Sequence, residues 1–165
     1  MAENKELSNQ NLTEKSSGGK DLLTTSSDER TWAAIAHLCT LLNSVTAMGG
    51  LVGAGFIYLS KKDESKWIAF HALQSLVFQG IQLALYLLLG IVWILGFAAS
   101  FITFGLGTLI AAPVLILATF FVMMLSLAGL IYSLYGAYQI YSGYEFYYLW
   151  IGDWVMENYI NKDVT

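Results

Sequence analysis

The sequence predicts an all-α fold, a polytopic membrane helical bundle. It has either four helices, a short N-terminal hairpin plus two long spans, or three spans. Three observations carry this. Hydrophobic residues make up 56% of the 165 positions and charged residues only 12%, where soluble domains run near 45–50% and about 25%. The charges are also segregated: Thr31–Ser60 and Trp67–Tyr144 contain no Asp, Glu, Lys or Arg. A small water-soluble fold leaves too much surface wet to hide 78 consecutive uncharged residues. Lipid is therefore the solvent for both blocks, and the bilayer is the first partner.

Residues 1–30 are polar, with ten charges and Ser16-Ser17-Gly18-Gly19 in the middle. Such a stretch buries too little apolar area to offset its ordering entropy, so it is expected to be a disordered tail. It has no apolar core of a secretory signal and no Arg-rich transit character. The transmembrane helical domain is placed at 31–144, with an aromatic interfacial C-terminal segment at 145–165.

The first apolar block, Thr31–Ser60, exceeds the roughly 20 residues of a span and is interrupted by Gly49, Gly50, Gly53 and Gly55. It is either one long tilted span or a shallow hairpin turning near Thr46–Gly50. Lys61-Lys62-Asp63-Glu64-Ser65-Lys66 is a charged loop in which Asp63 or Ser65 caps the next helix. Trp67 follows at an interface position. The second block must hold two spans, placed at about 64–96 and 113–141, with Pro113 in the first turn of the latter. Residues 97–112 between them read as a short interfacial helix or a re-entrant loop. The closing run Tyr144, Phe146, Tyr147, Tyr148, Trp150 and Trp154 suits the headgroup region.

Three lysines in 61–66 mark the cytoplasmic side by the positive-inside rule. A hairpin in the first block would put every charged segment on that side of a bacterial inner membrane, and the uncharged 97–112 on the other. A single span would put the N-terminal tail outside.

Function classes narrow quickly. A net charge of −4 offers no basic stripe for nucleic acid. The single cysteine, Cys39, lies in an apolar block and supports neither a disulfide framework nor a thiol metal cluster. His37 and His71 are the only ionisable groups inside the apolar blocks, so acid–base pairs, nucleophile–base pairs and metal clusters are lacking. No catalytic residue, metal or cofactor is expected, and the protein is read as non-enzymatic.

Two intramembrane patterns remain. His71, Gln74, Ser75, Gln79 and Gln82 fall within about 140° of arc at 100° per residue. They form a polar stripe that serves either as interhelical hydrogen-bonding glue or as a groove. His37, on a face with Thr40 and Ser44, is a partner for the stripe only in the hairpin topology. Ser126, Gly129, Ser133 and Gly136 share one face of the last span and suit close packing against the first elements or a second copy.

Ala36-His37-Leu38, the loop Lys61-Lys62-Asp63-Glu64-Ser65 and the run Phe70-His71-Ala72-Leu73-Gln74-Ser75 resemble a bacterial family of small membrane proteins of unknown function. That family is similar to the twenty-kilodalton subunit of the chloroplast inner-envelope import translocon. The resemblance covers about 31–152 and implies four helices with both termini cytoplasmic. It points to a scaffold or subunit of a larger membrane complex, with membrane protein partners or a homo-oligomer, and a link to protein translocation. The alternatives are a small channel or transporter-like component using the stripe, and an accessory protein binding haem or pigment through a histidine.

Overall fold

The computed structural model describes residues 25–46 and 48–160, so the expected tail falls outside the described residues up to position 24. The first helix, α1 (Ser27–Leu38), continues as a tighter 3-10 segment over Cys39–Ser44. The chain then reverses into α2 (Gly49–Lys61). Two long helices follow, α3 (Lys66–Ile102) and α4 (Leu106–Tyr141). An irregular segment leads to the short α5 (Ile151–Val155) and a π-helical turn over Met156–Ile160. The fold is all-α, and the first apolar block is a hairpin.

Local chemistry explains the helix starts. Ser26 and Glu29 form a capping box: the Glu29 N–H donates to Ser26 Oγ at 3.2 Å, and the Ser26 N–H donates to the Glu29 carboxylate at 2.9 Å. This starts α1 at Ser27, four residues inside the segment read as polar tail. Ser65 caps α3 by accepting from the Ile68 N–H at 3.3 Å, and its hydroxyl donates to Glu29 Oε1 at 2.6 Å. One serine therefore fixes the start of α3 against the start of α1.

The segment 97–112 departs from expectation. It is neither an interfacial helix nor a re-entrant loop: α3 runs through to Ile102 and α4 begins at Leu106. The reversal takes three residues, with Phe104 at φ 51° and Gly105 at φ 90°, and the Thr103 hydroxyl accepts from the Gly107 N–H at 2.8 Å. Pro113 accordingly lies inside α4 and not in its first turn. Membrane helices tolerate an internal proline because neighbouring groups re-satisfy the freed carbonyl.

The core sits at the charged end, where α1, α2, α3, α4 and α5 pack together. Ala33, Ala34, Ala137, Ile140, Phe146 and Tyr148 form one cluster and Ala36, Cys39, Ala54, Ile57, Ile68 and Ala72 a second. The alanines of α1 let it lie close to both long helices. Phe70, Leu73 and Val155 form a third cluster that docks α5 on α3. We call this end the base. Charged residues gather there: Glu29 reaches Ser65, and Lys61 pairs with Glu64 at 2.5 Å while lying 5.3 Å from the centre of the Trp32 ring.

Beyond Gln79 the two long helices run on as a bare pair. Leu115, lodged beside Gly96, is their only buried residue between position 80 and Ser133. Both helices are long and apolar enough to cross a membrane, and their most apolar stretches are 0% and 6% buried by protein. We call this part the distal hairpin.

Candidate functional site

The polar residues of the apolar blocks converge in the base. His37, His71, Gln74, Ser75, Gln79 and Ser133 are each 2% exposed or less. The hairpin of α1 and α2 is what allows this, because it brings His37 and His71 in from the same end. Their ring centres are 5.6 Å apart.

Ser133 of α4 is the junction. Its hydroxyl lies 2.8 Å from the His37 carbonyl oxygen, 2.7 Å from Tyr148 Oη and 2.9 Å from Thr40 Oγ1, and Tyr148 Oη is 2.9 Å from His37 Nδ1. Proton accounting orders this set. A carbonyl only accepts, so Ser133 donates to His37 O and must accept from both Tyr148 and Thr40. Tyr148, having donated its one proton, accepts from His37. The neutral His37 imidazole is therefore the Nδ1–H tautomer, and its Nε2 carries the lone pair.

A second branch ties α1 and its 3-10 extension to α3. Ser75 donates to the Ala36 carbonyl at 2.7 Å, and Gln79 Nε2 donates to Ser75 Oγ at 3.0 Å. Asn43 Nδ2 donates to Gln79 Oε1 at 3.2 Å and Asn43 Oδ1 accepts from the Gly50 N–H at 2.8 Å. Gln74 Oε1 accepts from the Tyr148 N–H at 3.0 Å, which pins the C-terminal segment to α3. His37 Nε2, His71 Nδ1 and Gln74 Nε2 have no hydrogen-bond partner in the protein.

The stripe is thus brought together from His71 to Gln79, while Gln82 stands apart. Gln82 is half-buried and lines an open cleft of about 300 Å³ with Thr40, Asn43, Ser44, Tyr86 and Ser126. The packing face of α4 is divided among three neighbours. Ser133 meets α1 and Tyr148, Gly136 abuts the Phe146 ring, and a side chain at Gly129 would press on Gln82 and Phe78 of α3. Ser126 takes a 2.6 Å hydrogen bond from Tyr86 on the surface of the distal hairpin.

Two contributors are not singled out by sequence patterning. Tyr148 belongs to the aromatic run assigned to the headgroup region, yet it is 1% exposed, and Phe146 is 6% exposed. Gly143, at φ 87°, turns the chain back. Phe146 and Tyr148 then point inward, while Glu145, Tyr147 and Leu149 on the alternate phase face out. That period of two, with Glu145 on the outer phase, is the signal available in the sequence. Asn43 carries no periodic signal at all, since a lone asparagine beside a glycine-rich turn is commonplace.

Chemically the cluster positions helices. Among the described residues no group of three or more His, Cys, Asp or Glu gathers to hold a metal ion. Both imidazoles are packed by aromatic rings: Trp67 and Phe70 lie 4.4 and 5.2 Å from His71, and Phe146 lies 5.5 Å from His37.

No curated protein and no solved structure matches the chain. The resemblance to the chloroplast translocon subunit gains no support from these comparisons. A sequence model of the magnetosome magnetite crystal formation protein family, MamF/MmsF, does match, over residues 28–155. That stretch begins one residue into α1 and ends with α5, so it contains the polar cluster and both long helices, and the chain belongs to this bacterial membrane protein family.

Proposed function

We propose that this protein is a non-enzymatic scaffold of the magnetosome membrane that takes part in magnetite crystal formation. The family match across the helical region carries this reading. The chemistry of the base supports the scaffold part of it. From Ser75 to Gln79 and from Thr40 to Tyr148, hydroxyls and amides engage one another and backbone carbonyls. Groups held in this way fix helix positions and offer a substrate little. The tight packing of the stripe from Ser75 to Gln79 disfavours a conduit along it, and with it the channel reading, and the family match lends the translocation reading no support.

The charged base faces the cytoplasm in this proposal, and the Thr103–Gly105 turn faces the far side. Membrane protein partners or further copies would gather on the exposed apolar surfaces. Deletion in a magnetite-forming bacterium is expected to leave magnetosome membranes in place and to change crystal size or shape by electron microscopy. Complementation with the wild-type chain should restore the crystals. Normal crystals in the deletion strain would overturn the proposal. Cysteines at Lys62 and Phe104, probed with an impermeant thiol reagent in spheroplasts on a Cys39→Ser background, test the orientation. Labelling of position 62 from outside would reverse it.

A further inference from the structure

The two ends of the molecule differ in width. At the base α1, α2 and α5 pack around α3 and α4, whereas the distal end consists of α3 and α4 alone. At roughly 10 Å across each, α1 and α2 by themselves add about 160 Å² of cross-section to one end.

The depth of that extra width follows from how the α1–α2 hairpin is fastened. The 13 residues of α2 run about 20 Å. Beside the turn, Asn43 donates to Gln79 Oε1 and accepts from the Gly50 N–H. Gln79 stands about 20 Å along α3 from its Lys66 end, so the hairpin stops where the distal pair begins. Half of a bilayer's hydrocarbon core is about 15 Å. A hairpin of this length, entered from the charged end, ends near the middle of the bilayer and leaves the other leaflet to α3 and α4. Tilting takes up the excess length of the long helices.

The outer surface of the hairpin suits lipid. Leu42, Val45, Met48, Val52, Phe56 and Leu59 are 47–83% exposed, and Thr31–Ser60 carries no charge. Val52, Phe56 and Leu59 share one face of α2 at helical spacing, and an exposed apolar face of this extent marks contact with membrane or protein. Lipid is the occupant because α2 packs along a candidate span, α3, and because the apolar surface gives way to interface residues at the open end of the hairpin. There Lys61 lies 5.3 Å from the centre of the Trp32 ring, and Trp67 opens α3.

We propose that this protein is a membrane wedge: the α1–α2 hairpin occupies only the leaflet on the base side, so the chain gathers in, and favours, membrane that is convex on that side. Two half-length helices expand one leaflet relative to the other, and bending toward the wider end relieves the difference. With the base toward the cytoplasm, the favoured membrane bulges into the cell. This activity requires lipid alone and is independent of crystal formation.

The test uses the full chain on a Cys39→Ser background in giant vesicles of phosphatidylcholine, from which a narrow tube is pulled outward. An impermeant fluorescent maleimide added outside marks Lys62→Cys only in molecules whose base faces out, and Phe104→Cys only in those whose Thr103–Gly105 turn faces out. The outer leaflet of the tube is convex. The Lys62→Cys label is therefore expected to be severalfold denser per lipid on the tube than on the vesicle, and the Phe104→Cys label severalfold sparser. Val52→Asp with Phe56→Asp places charge where hydrocarbon rejects it and should bring the Lys62→Cys label to equal density. Val52→Leu with Phe56→Leu should keep the enrichment. Melting by circular dichroism checks that each variant is folded. Equal density of both labels on tube and vesicle would overturn the proposal, as would enrichment of the Phe104→Cys label or an enrichment that survives the aspartate pair. Disulfide-linked dimers formed through Val52→Cys in vesicles carrying few copies would also overturn it, giving that face to a second copy of the chain.

Discussion

The base and the distal hairpin are built on the same two helices, α3 and α4, and hold them together by different means. In the base, α1, α2 and α5 surround the pair, and the interface is filled by histidine, glutamine, serine and tyrosine side chains exposed by 2% or less. In the distal hairpin the two helices have only each other. Leu115 against Gly96, Trp93 donating to Thr119 at 3.0 Å, and Tyr86 donating to Ser126 at 2.6 Å link them. Length explains part of the contrast. The 37 residues of α3 run about 55 Å, nearly twice the roughly 30 Å of a bilayer's hydrocarbon core. The 23 residues from Gly80 to Ile102 alone suffice to cross it. The distal part needs to be apolar and hydrogen-bonded within each helix, and little more. The base must place five helices at fixed angles, and its buried, directional polar bonds supply that placement.

Substituting glycines tests the contrast most strongly. Any side chain at Gly136 runs into the Phe146 ring, whereas nothing lies within 4 Å of a Cβ at Gly90. Gly136→Leu is therefore expected to destabilise the base by about 3 kcal/mol, as overpacking of a filled core does. Gly90→Leu should be close to neutral. Yield of monodisperse protein from membranes and thermal melting in detergent measure both. Equal behaviour of the two variants would erase the distinction between the regions.

Removing hydroxyls compares the two kinds of polar contact. Tyr148→Phe leaves Ser133 and His37 Nδ1 each short of a partner in a buried site, and Ser133→Ala strips the His37 carbonyl and Tyr148. Each should cost about 1–3 kcal/mol. Tyr86→Phe in the distal hairpin removes one hydrogen bond between half-exposed groups, which in membrane helices averages about 0.6 kcal/mol. Chemical denaturation in mixed micelles reads all three. A Tyr86→Phe effect as large as that of Tyr148→Phe would mean that the distal pair also depends on polar bonds.

The same division governs what the sequence reveals. Charge segregation and block length are properties of whole segments, and they foretell the all-α fold, the charged loop at Lys61–Lys66 and two long apolar helices. The stripe from His71 to Gln79 is legible because helical periodicity puts those residues on one face. Pro113 misleads because proline rules come from water, where a lost backbone hydrogen bond is costly at an interior position, so the reversal at Thr103–Gly105 is hidden behind an apparently better helix start. Tyr148 is hidden for a different reason. Its role depends on a chain reversal at Gly143 that carries it back to residues 37 and 133, and composition places a tyrosine among tryptophans at the interface just as readily. Non-local return of the chain leaves no periodic trace.

The smallest expected effect lies where the base meets water. The Ser65 hydroxyl, and after it the Ser26 backbone N–H, hold the Glu29 carboxyl below the ordinary carboxylate range. A folded-state value below the unfolded one makes ionised Glu29 stabilising. That contribution is complete above the ordinary carboxylate range and fades as pH falls through the lowered folded value. Glu29→Gln should therefore lower the melting temperature slightly at pH 7, and the gap from wild type should close on acidification below pH 4. Because the side chain is largely solvated, screening keeps the effect small, and added salt should shrink it further. Tyr86→Phe in the distal hairpin should show no such closure, since its hydrogen bond joins two hydroxyls and involves no carboxylate. A gap for Glu29→Gln that is independent of pH would show that Glu29 acts through packing alone, and that charge has no part in fastening α1 to α3.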